Sequence, residues 1–314
     1  MFLSTDIVYY DFKLDYSDVK LIKRYTKDVS TYKNIAKKIE KMRLIKSDSE
    51  IELIKKAISI TKEAHHRSMA ISKKLHYEYQ LQAEIEYIFK KEGAYSDAYT
   101  SIVASGNNAN TLHYISNDKP LKATDLILID AGCEYNYYAS DITRTIPVSG
   151  RFTKEQKDIY NLVLDVQKKV IKMIKPDVLR SDLQKYTQKM LCSGLVELGI
   201  LHGDVKKLLK KGVIKKYYPH GIGHWMGLDV HDSAPYKDKK GKEIPLKDGM
   251  VLTIEPGLYL SKDDKDIPKC YRGIGVRIED DILVTKDGCI NLSSAIAKEI
   301  KDIEAIGYKS SSNL

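Results

Sequence analysis

Cysteine is scarce in this chain of 314 residues, and the four present (Cys133, Cys192, Cys270 and Cys289) stand far apart with no Cys-x-x-Cys pair. That pattern excludes a disulfide framework and a zinc knuckle, and it reads as reduced thiols. Long apolar runs are missing as well. None approaches the roughly 20 residues that a membrane span needs, so no membrane association is expected. The opening Met1-Phe2-Leu3-Ser4-Thr5-Asp6 lacks the basic-then-apolar order of a signal peptide, and the cytoplasm is the expected compartment. Acidic side chains are outnumbered, 43 against 52 Lys and Arg, for a formal charge of +9. The excess is lysine spread along the chain, densest over 34–43 and 206–216, without interleaved aromatics or a nucleic-acid-binding motif. These blocks read as solvated helix faces, so no nucleic-acid partner is expected. Hydrophobic content of 43% and charged content of 30% are globular values, and the length allows one large core.

Histidine, by contrast, is concentrated. Three of the eight histidines fall in His220-Gly221-Ile222-Gly223-His224-Trp225-Met226-Gly227-Leu228-Asp229-Val230-His231. Imidazole binds metals and carries protons near neutral pH, and glycine lets backbone approach a ligand closely. Four acids flank this stretch from both directions: Asp130 in Asp130-Ala131-Gly132, Asp141, Glu255 in Ile254-Glu255-Pro256-Gly257, and Glu279 in Arg277-Ile278-Glu279-Asp280.

Coarse periodicity puts these residues on a scaffold. A β-like run covers 7–10, and lysine-rich residues 16–43 have helical character but too few apolar positions for a core. Ser47-Asp48-Ser49-Glu50 has capping-box spacing. Ile51, Ile54, Ala57, Ile58 and Ala64 share one helical face, which predicts a helix to about Lys73. A second helix is predicted over 79–91. Strands follow over 101–104, 126–130 and 137–145, the last two forming a hairpin with Asp130 and Asp141 on its arms. Helices over 154–174 and 180–198, strands over 251–255 and 275–284, and a final helix over 298–306 complete the order. Helices then strands occur twice, which predicts an α+β fold with helices against a mostly antiparallel sheet.

Four carboxylates buried in strands would be prohibitively costly without compensating charge. Two divalent cations would offset all four. Oxygen donors with one imidazole suit Mn²⁺ above all, with Zn²⁺, Co²⁺ or Fe²⁺ as alternatives. An ion pair roughly 3.5–4 Å apart carries a shared hydroxide nucleophile, which is hydrolase chemistry.

These five motifs, in order and spacing over about 42–306, resemble the pita-bread dimetal metallopeptidases, and within them the aminopeptidase P (Xaa-Pro aminopeptidase) branch. The resemblance implies two pseudo-equivalent halves around a curved sheet. It implies Asp130 on one metal, His224 and Glu255 on the other, and Asp141 and Glu279 bridging. The His-Gly-Ile-Gly string also resembles methionine aminopeptidases, whose ligand histidine is followed seven residues later by another. Seven from His220 is Gly227, whereas seven from His224 is His231, which selects His224 as ligand. His113 resembles the family's first active-site histidine. His113 and His231 would then contact the scissile carbonyl or move a proton. Glu255 would shuttle the proton, Arg277 would orient the site, and His220 and Trp225 would line the substrate pocket.

The implied activity is release of the first residue from peptides with proline second, by a hydroxide held between two metals. A prolidase-type dipeptidase, or a pita-bread protein that binds partners without metals, are the alternatives. The family usually places a separate domain ahead of the catalytic one. Here residues 1–42 stand in its place as a remnant, followed by a catalytic domain at 43–308 and a tail at 309–314. Substrate length and a homo-oligomer such as a dimer are left open by that difference.

Overall fold

The helices lie where apolar residues recur at helical spacing, and the strands lie where apolar runs are short. The computed structural model describes residues 7–12, 16–26 and 31–309. Near the N-terminus, β1 (Ile7–Tyr10) and β2 (Thr31–Asn34) pair in parallel around α1 (Tyr16–Tyr25), and α2 (Ala36–Leu44) follows. Helix α3 (Asp48–Ile71) begins at the predicted cap, where the Ser47 N–H donates to Glu50 Oε2 at 2.8 Å. Its expected face, from Ile54 through Ala64, is buried against α4 (Glu78–Lys91) and the sheets.

The first half continues with β3 (Ser96–Asp97), β4 (Ile102–Ser105), β5 (Leu126–Asp130), β6 (Cys133–Tyr135), β7 (Tyr138–Ala139) and β8 (Thr143–Pro147). These make two antiparallel sheets, β4-β5-β8 and β3-β6-β7. Strand β5 is buried on both faces, as a continuous apolar run predicts. Ile127 and Ile129 face the helices, while Leu128 packs with Ile102, Ala104 and Tyr259. Asp130, two residues beyond Leu128, therefore belongs to the second face.

The second half repeats the plan. Helices α5 (Lys154–Met173) and α6 (Arg180–Glu197) precede short α7 (Val205–Lys210). The Thr153 cap of α5 is reciprocal, with Gln156 N–H donating to Thr153 Oγ1 at 3.2 Å and Thr153 N–H to Gln156 Oε1 at 2.9 Å. Then come β9 (Val251–Ile254), β10 (Gly257–Leu260), β11 (Ile274–Arg277), β12 (Asp280–Thr285) and β13 (Gly288–Asn291), and α8 (Ile300–Lys309) closes the described chain. They form the antiparallel sheet β13-β12-β9 and the antiparallel pair β10-β11. The α+β class and antiparallel sheets are as expected.

Two expected strands are broken, and both breaks fall at acids. The expected strand 137–145 divides into β7, which pairs with β6, and β8, which pairs with β5, so Asp141 lies between strands and not on a hairpin arm. The expected strand 275–284 splits at Ile278-Glu279, sending β11 to one sheet and β12 to another. Strands β2 and β13 and helix α7 carried too little apolar pattern to be expected. Residues 310–314 of the expected tail lie outside the described residues.

The two halves are joined behind the acids by a buried ion pair. Arg144 Nη2 donates to Asp280 Oδ1 at 2.7 Å, and both side chains are fully buried. The other Arg144 donors meet the carbonyls of Thr143, Glu279, Ile296 and Ala297. Asp280 also accepts from Ser293, Asn291 and Lys298. Removing one partner of such a pair strands the other charge in the interior. Arg144→Leu is expected to cost about 3–5 kcal/mol of folding stability. Urea unfolding measures this, and an unchanged midpoint would mean that the pair adds no net stability.

Candidate metal centre

Each of the four acids sits at, or within two residues of, the end of a paired strand. Asp130 ends β5 opposite Thr143, and Asp141 lies two residues before β8. Glu255 directly follows β9, and Glu279 directly precedes β12, whose Asp280 faces Ile254. Where ladders stop, side chains from both halves reach a common space. The halves are held in step there: Glu279 N–H donates to Thr143 O at 3.0 Å, and Thr143 Oγ1 donates to Glu279 Oε2 at 2.7 Å.

His224 reaches the same space because its loop runs along β9. Glu255 N–H donates to Ile222 O, and Thr253 N–H donates to His224 O, both at 2.9 Å. Backbones approach so closely that a Cβ at Gly223 would stand 1.9 Å from Thr253 O, which is why glycine occupies that position. The His224 Nδ1 faces Trp225 O at 3.1 Å, assigning the ring proton to Nδ1 and turning Nε2 toward the acids. Nε2 lies 3.2 Å from Asp141 Oδ2 and 3.9 Å from Glu255 Oε1. One ligand atom each from Asp141, His224 and Glu279 falls within 4.8 Å of the others.

This cluster floors a cavity of about 440 Å³. His113, His220, His231, Arg277 and Tyr99 line it beside the acids, with Ile102, Leu112, Ile115 and Val230 as its apolar wall. The His231 ring lies edge-on to His224 with centroids 4.1 Å apart. His220 Nδ1 faces Gly221 O and its Nε2 accepts from Tyr259 OH, each at 2.8 Å. Arg277 completes that line, donating to Tyr259 OH at 2.9 Å and to Asp130 Oδ2 at 2.6 Å.

The electrostatics are those of too many acids in one place. Burial, with Asp141 and Asp130 as neighbours, pushes Glu255 up to about 7 against the pull of His224 and Arg277. Glu279 is held well above the carboxylate range by burial and then by Asp141. Burial and Asp141 raise Asp130, although Arg277 opposes them. Burial works against charge on His224, but Asp141 and Glu255 outweigh it and lift the imidazole to about 9. His220 falls to about 4 through burial and the Arg277 charge.

The donor set fits divalent cations. Four carboxyl groups face one guanidinium and one imidazole, too little positive charge for all four to ionise together. Tyr99 OH lies 2.6 Å from both Asp130 Oδ1 and Asp141 Oδ1 but has one proton to give. Additional positive charge satisfies the remaining lone pairs, and hard oxygens with one imidazole are the donors such ions take.

One expectation is corrected. Trp225 does not line the cavity: it is 1% exposed, stacks on Tyr236 at 5.5 Å, and has Arg180 over both rings. Its bridge to Leu252 turns the indole inward, away from the cavity that His224 faces. Other participants carried no sequence signal. Tyr99 stands alone in a loop, and Tyr259 is one of the chain's 22 tyrosines. The loop between His224 and His231 is clasped from far upstream, as Lys46 Nζ donates to the buried Asp232 Oδ2 at 2.9 Å and Arg43 reaches both Asp232 and Asp229.

Known proteins are similar to this chain in sequence and in fold. The Xaa-Pro aminopeptidase of Haemophilus influenzae is 46% identical over 266 residues, covering 85% of this chain and 61% of that protein. That of Escherichia coli is 43% identical over 268 residues, covering 85% of this chain and 60% of that protein. The chain thus spans about three fifths of the length of these curated relatives. Among solved structures, Pseudomonas aeruginosa aminopeptidase PepP superposes with a TM-score of 0.94 at 39% identity, covering 99% of this chain and 72% of that one. A glutamate-to-alanine variant of Escherichia coli aminopeptidase P in complex with substrate gives 0.92 at 37% identity, with 99% and 72% covered. These likenesses identify the pita-bread architecture in the two helix-then-strand halves. With the model of metallopeptidase family M24 matching residues 52–286, a stretch that holds all four acids and every cavity histidine, the chain belongs to that family.

Proposed function

We propose that this chain is a metal-dependent aminopeptidase that removes the first residue from peptides with proline in second position. The observation that carries the reading is the ring of His113, His220 and His231 around a cluster of four acids and His224 in one cavity. The similarity to Xaa-Pro aminopeptidases supports the substrate class. Residues 43–308 would form the catalytic domain, with 1–42 as a short segment ahead of it. Four free cysteines, and no helix among the described residues long and apolar enough to cross a membrane, are compatible with a cytoplasmic location.

Asp130, Asp141, His224, Glu255 and Glu279 would hold two divalent cations, manganese being the best match. Bound there, such ions supply Lewis acidity at the scissile carbonyl and a water of lowered pKa. His231 and His113 donate hydrogen bonds to the carbonyl oxygen as negative charge grows on it. Glu255 takes the proton of the attacking water and hands it to the proline nitrogen as the C–N bond breaks. Arg277 keeps Asp130 and Tyr259 in place, and neutral His220 offers an uncharged wall to the proline ring. Proline lacks an N–H and has a locked φ, so this wall reads ring shape and not a backbone donor.

Protein reconstituted with excess Mn²⁺ should bind close to two ions per chain by elemental analysis, and a value of zero would end the enzyme reading. His224→Ala is expected to lose metal occupancy. His231→Ala and His113→Ala should keep it while kcat falls by about 10²-fold or more. Loss of metal from His231→Ala alone would reverse the assignment. Offered Ala-Pro-Ala, Ala-Pro and Ala-Ala-Ala, the enzyme should cut Ala-Pro-Ala at the Ala-Pro bond. Preference over Ala-Ala-Ala should be about 1–3 kcal/mol, the amount pocket shape supplies. Equal turnover of both tripeptides would leave a general aminopeptidase, and turnover of Ala-Pro alone would point to a prolidase.

A further inference from the structure

The cavity is bounded on one side by the loop between β4 and β5, which contributes Leu112, His113 and Ile115. His113 is exposed, and among the described residues no hydrogen bond reaches its ring. Its place therefore depends on what holds the loop around it. That holder is Glu78, in the first turn of α4, whose side chain is wholly buried. Its Oε1 accepts from Ser105 N–H and Ser105 Oγ at 2.7 Å and from Asn108 Nδ2 at 2.9 Å. Its Oε2 accepts from Tyr114 OH at 2.8 Å and Lys119 N–H at 3.0 Å.

Five donors converge on one carboxylate, all from residues 105–119, and none is a lysine or arginine side chain. A buried carboxylate is costly to desolvate, and a helix N-terminus alone needs no such assembly. What these five bonds accomplish is to pin the loop at its start, at Asn108, beside His113 through Tyr114, and at its end. A second fastening is independent of Glu78. Buried Asn117, at φ +46, accepts from Val103 N–H at 2.9 Å and donates to Ser101 O and Gln82 Oε1 at 2.8 Å. The far end is thus held twice. Nearer the start, Lys262 N–H also donates to Asn107 Oδ1 at 2.8 Å and Ala109 packs with Ile102 and Tyr259, whereas over 111–116 the hydrogen bond from outside the loop is that of Tyr114 to Glu78.

We propose that Glu78 is a positioning residue that sets His113 in the cavity through its bonds to Tyr114, Asn108 and Ser105. The role of His113 in turnover rests on the function proposed above; the hold of Glu78 on the loop does not. A carboxylate suits this task because both oxygens accept and neither must donate, so five loop donors can share its lone pairs. An amide of the same shape turns one acceptor into a donor facing other donors.

The test uses the full chain loaded with Mn²⁺ and the variants Glu78→Gln, Tyr114→Phe and His113→Ala, singly and in pairs. Tyr114→Phe removes the hydroxyl that bonds Glu78, and also faces Asp118, at a partly exposed residue, and keeps the assay interpretable should Glu78→Gln fold poorly. Hydrogen exchange should rise in 106–116 for both variants while metal occupancy stays unchanged. On Ala-Pro-Ala, kcat should fall about tenfold or more for Glu78→Gln, with a smaller change in KM, as expected for a misplaced group. In the His113→Ala background the same substitutions should cost less than about twofold, because coupled residues are not additive. Equal fold-losses in both backgrounds, or unchanged exchange in 106–116, would overturn the proposal. If the unsubstituted enzyme cleaves none of the peptides, the functional reading fails, and the exchange result alone upholds or overturns the positioning of the loop.

Discussion

The Arg144–Asp280 ion pair is the constraint on which the rest of the molecule depends. It lies wholly out of solvent, directly behind the cavity, with one partner on a strand of each half. A pair so buried would be unfavourable if any donor or lone pair were idle. None of the guanidinium donors is: one meets Asp280 and the others meet four main-chain carbonyls. Two of those carbonyls belong to Thr143 and Glu279, so the same side chain that joins the halves also fixes the backbone that carries two site residues. Asp280 is drawn below its ordinary range, its burial overcome by Arg144 and Lys298.

In front of that pair the charge balance reverses. Asp280 is matched by cations, while Asp130, Asp141, Glu255 and Glu279 share Arg277 and His224. Adjacent residues in the chain, Glu279 and Asp280, thus live in opposite electrostatic settings because they project to opposite sides of β12. The side toward Arg144 is complete. The side toward the cavity is buried and short of positive charge: burial first, then neighbouring carboxylates, push up Asp130, Glu255 and Glu279, and such a site suits divalent cations.

Around this floor the two halves contribute unlike walls. The first half supplies a loop with His113, fastened from beneath by the buried carboxylate of Glu78 and by Asn117. The second supplies the loop of His220, His224 and His231, laid along β9 and clasped by Lys46 and Arg43 from near the N-terminus. Trp225 belongs to the support of that loop: stacked on Tyr236 under Arg180, it stiffens the backbone that aims His224 and offers no face to a substrate.

The residues by themselves determined a good deal. Caps and apolar periodicity located α3, α4, α5 and α6 within a few residues, because those signals act within one or two helical turns. Acids next to Gly, Pro-Gly and the histidine stretch marked the candidate site, because carboxylates in apolar strands need a compensating partner. Tertiary structure alone decided where the strands break. Alternation over 137–145 and 275–284 is a local property, whereas the pairing that splits those runs is set by ladders with distant strands. It also decided the supports. Arg144, Tyr99, Tyr259 and Glu78 act on partner side chains from 18 to 136 residues away along the chain. A hydrogen bond across such a separation leaves no periodic trace in the sequence, since only folding makes the two residues neighbours.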